Sequence, residues 1–92
     1  MNTQAVIEAV NTYADMLDDL RNSGKQFPSR GDRSPQANAL RVQRDVYGNA
    51  IEIADTWKEI ESLGEGRVIL MSPDGLRVLY TPENGTERLA IL

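Results

Sequence analysis

With 92 residues, 40% of them apolar and 26% charged, the chain is sized for one hydrophobic core and not for two. Fourteen acidic side chains against ten basic leave a net charge of −4, and there is neither cysteine nor histidine. Disulfide staples, thiol nucleophiles, Cys/His zinc sites and histidine-based acid–base catalysis are thereby excluded, which favours binding over turnover.

Residues 3 to 21 read as an amphipathic helix, because Val6, Val10, Tyr13, Leu17 and Leu20 recur at alternating steps of four and three. Asn2 or Thr3 serves as its cap, and Asn22-Ser23-Gly24 tolerates the left-handed exit. Residues 24 to 34 carry two glycines, a proline and no period, so a mobile, basic loop is expected there. Ser34-Pro35 then combines an N-cap with a first-turn proline and opens a second helix.

The stripe of Val46, Ala50, Ile53, Trp57 and Ile60 carries that second helix as far as Leu63, with Gly64 beyond it and Gly48 as a possible break. Two stripes of one period predict an antiparallel helical pair. Residues 67 to 72, 76 to 81 and 87 to 92 are rich in apolar and β-branched types and lie between turn signals, Ser72-Pro73-Asp74-Gly75 and Pro82-Glu83-Asn84-Gly85. The fold expected is therefore α+β: two N-terminal helices packed on a C-terminal three-stranded antiparallel meander, in one domain over residues 1 to 92. Alternation along those strands puts Ile69, Met71 and Leu79 on the face opposite Val68, Leu70 and Val78. They form either a dimer face or scattered surface apolar residues.

Charge is distributed in blocks, with net values of −3 over residues 1 to 21, +4 over 22 to 44, −5 over 45 to 65 and zero over 66 to 92. Asp45, Glu52, Asp55, Glu59 and Glu61 fall off the apolar stripe of the long second helix, where carboxylates compete with phosphates for a basic groove or simply solvate an exposed face. Lys25, Arg30, Arg33, Arg41 and Arg44 offer the opposite chemistry, gripping RNA phosphate or an acidic partner, with Phe27 available to stack. Arg41 has an internal alternative in Asp45, four residues on, worth about 0.3 kcal/mol.

Other motifs are weaker. Arg30-Gly31-Asp32 matches an adhesion tripeptide by chance, and Asn84-Gly85-Thr86 matches a glycosylation acceptor but reads better as a turn. Asp15, Asp18 and Asp19 lack the spacing of a calcium loop and read as solvated carboxylates, so neither metal nor cofactor is expected. Trp57 and Tyr47 are either core or partner anchors. The N-terminus has no basic leader and no apolar run reaches the roughly 20 residues of a membrane span, which gives a cytoplasmic expectation.

In size, composition and charge layout over the whole chain, the sequence resembles the small phage-encoded anti-CRISPR proteins. That resemblance implies a stoichiometric inhibitor whose acidic surface blocks the nucleic-acid-binding surface of a host nucleoprotein complex. A homodimeric structural or chaperone-like protein, acting in phage assembly or secretion, is the alternative from the residues themselves.

Overall fold

A computed structural model describes residues 1–83 and 86–92 of the chain. Helix α1 spans Thr3–Asn22 and helix α2 spans Pro35–Ala54, and four strands follow: β1 Lys58–Gly64, β2 Arg67–Met71, β3 Arg77–Thr81 and β4 Arg88–Ile91. The strands form one antiparallel sheet in the order β1-β2-β3-β4. The α+β architecture agrees with the sequence reading; its three-stranded meander is corrected to four strands. The turn expected at Asn84-Gly85, and the glycosylation pattern that begins there, lie outside the described residues.

Both helices begin as their caps dictate. The Ala5 amide donates to the Asn2 side chain at 2.8 Å, and the Ala37 amide to the Ser34 hydroxyl at 3.2 Å, one turn into each helix. Helix α1 buries Val6, Ala9, Val10, Tyr13 and Ala14, whereas α2 buries mainly small residues, Ala37, Ala50 and Ala54, beside Leu40. Its small contact face lets the two helices approach closely. They run antiparallel, since the start of α1 shares a cleft with Ile53 while Met16 and Leu20 share another with Gln36, Ala39 and Leu40. Gly48 does not break α2; a Cβ at that position would meet nothing within 4 Å.

The second helix stops nine residues before the expected Leu63. Asp55 caps it, and the amides of Thr56 and Trp57 donate to Ile53 and Ala54 at 3.0 Å each, tightening the last turn. Lys58–Gly64 then pairs with β2 as an edge strand, satisfying outer backbone groups of β2 that a continued helix would leave to water. The sharp return is made by Gly64, Glu65 and Gly66, all with positive φ. At Gly66 glycine is required twice over: φ is +78°, and a Cβ would stand 2.8 Å from the Pro82 ring.

Two rows of side chains face the helices. Glu59, Leu70, Val78 and Ile91 make one row across the sheet, and Ser62, Val68, Tyr80 and Leu89 the other. Val78 and Leu89 join Val6, Ala9, Val10, Ala50, Ala54 and Trp57 in the core. Helix α1 lies along β4. The Asn11 side chain donates to the Leu89 carbonyl at 2.7 Å and accepts from its amide at 2.9 Å, while Arg88 reaches Asp15 at 2.9 Å and Asp18 at 2.7 Å. Two of the three aspartates expected to be merely solvated therefore bind Arg88. The Thr3 hydroxyl donates to Asp74 and so ties the start of α1 to the β2–β3 turn, which closes through Gly75 and Ser72 as its sequence predicts.

Candidate protein-binding surfaces

Extended backbone turns alternate residues to opposite sides, so the outer side of the sheet is defined by the same register. Its middle row is Glu61, Ile69, Leu79 and Ala90, and the adjacent row is Lys58, Met71 and Arg77; Arg67 lies on the same face beyond Ile69. Ile69, Met71 and Leu79 are thus brought together, as alternation predicts. Ile69 is only 6% exposed; in the sheet it stands between Leu79 of β3 and Glu61 of β1, next to the register shift between Glu59 and Glu61. Among the described residues Lys58, Arg67 and Arg77 form no ion pair, so the face is an apolar centre bordered by three cations and, on β1, by the Glu61 carboxylate. Sequence segments hide these cations, since Arg67 and Arg77 lie in a segment of zero net charge and Lys58 in one of −5.

The five carboxylates expected along one helix are divided. Asp45 and Glu52 lie on α2, Asp55 is its C-cap, Glu59 is on the inner side of β1 and Glu61 on the outer. The break at Ala54 scatters the set and leaves one useful convergence. Asp55 and Glu59 meet at a groove of about 280 Å³ between the end of α2 and the sheet, lined also by Ala54, Trp57, Val68, Leu70 and Tyr80. Burial pushes the Tyr80 phenol above its ordinary value, and the negative charges of Glu87 and Asp55 push it further. Neither Asp55 nor Glu59 has an ion-pair partner among the described residues. By contrast Asp45 stands 3.7 Å from Arg44.

The basic residues divide as well. Lys25, Arg30 and Arg33 are exposed in the loop between the helices. Arg41 is held by the loop itself, donating to the Ser29 carbonyl at 2.8 Å and to Asn38 at 3.0 Å; it does not pair with Asp45. The Arg44 guanidinium lies 5.5 Å from the Phe27 ring centroid, which uses the aromatic side chain expected to stack on a base. A cleft lined by Leu20, Lys25, Pro28, Asp32 and Leu40 lies beneath this loop.

Tyr47 packs against the core and stacks on Tyr13 with ring centroids 4.8 Å apart, and its hydroxyl donates to Glu87 at 2.6 Å. Burial pushes the Tyr47 phenol pKa above its ordinary value, and the bonded Glu87 carboxylate pushes it further, so the hydroxyl stays protonated. Trp57 is a core residue and also a wall of the corner groove. No group of three or more His, Cys, Asp or Glu side chains suited to a metal occurs among the described residues, and no helix there is long and apolar enough to cross a membrane. Compared with known proteins, the chain matches no family model, no curated relative and no solved structure.

Proposed function

We propose that the chain is a stoichiometric protein-binding inhibitor that occludes the nucleic-acid-binding surface of a host nucleoprotein complex, in the manner of the anti-CRISPR proteins. The observation that carries this reading is the pair of carboxylates, Asp55 and Glu59, left without internal cations at the mouth of a groove. Carboxylates engaged inside the fold, such as Asp18 with Arg88, serve packing; unpaired ones attract an external basic surface at long range. The accessible surface, 5941 Å², exceeds the about 5,300 Å² expected of a compact monomer of this mass, so surface for contact is plentiful.

The test is a gel-shift assay of purified RNA-guided surveillance complex with its target DNA. One equivalent of the chain is expected to abolish DNA binding, and Asp55→Lys with Glu59→Lys to restore it. Equal inhibition by that double variant, or none by the native chain, would overturn the reading.

A second reading, a homodimer, is favoured by the outer sheet face, where the half-buried Met71 and Leu79 adjoin the buried Ile69 on a side that no helix packs against. It expects a dimer in light scattering that Met71→Asp or Leu79→Asp converts to monomers. A monomeric native chain at micromolar concentration would remove it. Lys58, Arg67 and Arg77 oppose this reading, because they leave three cations against the one carboxylate of Glu61 on the same face, and two copies facing each other would bring a surplus of like charge together.

A further inference from the structure

We propose that the groove at the α2–β1 corner is a socket for one arginine side chain of the partner protein; this rests on the occlusion reading above and names its anchor. The groove, about 280 Å³, is below the roughly 300–1,000 Å³ of small-molecule sites and suits a single side chain. Its lining has three parts: Ala54, Val68 and Leu70 are apolar, Trp57 and Tyr80 are aromatic, and Asp55 and Glu59 are anionic. An arginine carries the matching three, an apolar stem, a planar weakly hydrated head that stacks on aromatic rings, and a fixed positive charge that bonds carboxylates in pairs. Phosphate and acidic peptides are repelled by the same carboxylates.

Several internal facts support an external occupant. None of the chain's own cations reaches Asp55 or Glu59 among the described residues. The Tyr80 hydroxyl makes no hydrogen bond there either, whereas the Tyr47 hydroxyl is engaged by Glu87. The groove is framed by rigid parts, the last turn of α2, the buried Trp57 and the paired strands β1 to β3, so its shape exists before a partner arrives.

The chain contains one tryptophan, and it lines the groove, so its fluorescence reports occupancy directly. Titration with a short oligoarginine peptide is expected to change Trp57 emission saturably, with oligolysine of equal length about threefold weaker or more. Asp55→Asn with Glu59→Gln should weaken oligoarginine about tenfold with an unchanged circular dichroism spectrum. Glu61→Gln removes one carboxylate charge from the opposite face of β1 and should leave affinity unaltered, whereas Glu59→Gln alone should weaken it. Equal loss in Glu61→Gln, equal affinity for oligolysine, or no emission change would each overturn the socket. A protein that still blocks the surveillance complex but shows no emission change loses the socket and keeps the occlusion reading. One that binds oligoarginine at Trp57 yet blocks nothing keeps the socket and loses that reading.

Discussion

The two edges of the sheet are treated in opposite ways. At β4, α1 lies alongside and Asn11 supplies one donor and one acceptor to Leu89, so the outward backbone groups of that residue are satisfied by a side chain instead of by another strand. At β1 every residue is exposed, and the strand carries two register shifts together with Lys58, Glu59 and Glu61. Bulges and charges blunt an edge without covering it. One edge is therefore covered at Leu89, with Ala90 and Ile91 still exposed, and the other is open along its whole length; the corner groove lies on the side of the second.

The sharpest way to test this contrast is to make the same change on both edges. Leu89 is 1% exposed and Leu63 41%. Leu89→Ala is expected to cost about 3 kcal/mol in urea unfolding through the cavity it leaves, and Leu63→Ala less than about 0.5 kcal/mol. Similar losses would mean that the edges do not differ. Next in size is Asn11→Ala, expected to destabilise by about 2 kcal/mol, because both backbone groups of Leu89 lose their partner in a half-buried place. Gly66→Ala should cost about 1.5 kcal/mol, combining a left-handed backbone with the approach of Pro82, and should loosen β1 first. Hydrogen exchange of the β1–β2 amides, faster in this variant than exchange at β4, would show where the effect lands.

The smallest effect concerns the pin that keeps α1 over the sheet. Hydrogen bonds from Ser72 and then Thr3 hold the Asp74 carboxyl below its ordinary value. A group whose folded value is lowered contributes stability above its unfolded value and loses it as the pH falls through the folded one. Acid unfolding below about pH 4 is thus expected to be less steep in Asp74→Asn than in the native chain. An identical acid profile would show that the pin carries no charge linkage.

Much of this architecture is legible in the residues. The stepping of Val6, Val10 and Tyr13 places α1, Ser34-Pro35 opens α2, and Ser72-Pro73-Asp74-Gly75 turns β2 into β3, all by local chemistry that tertiary packing leaves intact. Strand β1 is not legible because Trp57 and Ile60 continue the helical period of Val46, Ala50 and Ile53. There a non-local term, pairing with β2, outweighs the local pattern. Gly64-Glu65-Gly66 is the available signal: two glycines around one residue suit a hairpin return better than a helix exit. Gly48 misleads in the other direction, since the about 1 kcal/mol it costs is less than what packing of α2 supplies.

The site follows the same division. Alternation is local, so the grouping of Ile69, Met71 and Leu79 follows from strand periodicity. The separation of Glu59 from Glu61 onto opposite faces needs β1 to exist as a strand, and so does the meeting of Glu59 with Asp55. Asn11 shows no sign of its role, because a helical asparagine acquires meaning only when a strand lies beside it.

The plug at Leu89 also governs how copies could grow into larger assemblies. A sheet receptive on both sides adds molecules without end and becomes a fibril; with one side stoppered, strand addition between two β1 segments uses up both receptive borders at once. Any polymerisation by this route halts at a pair.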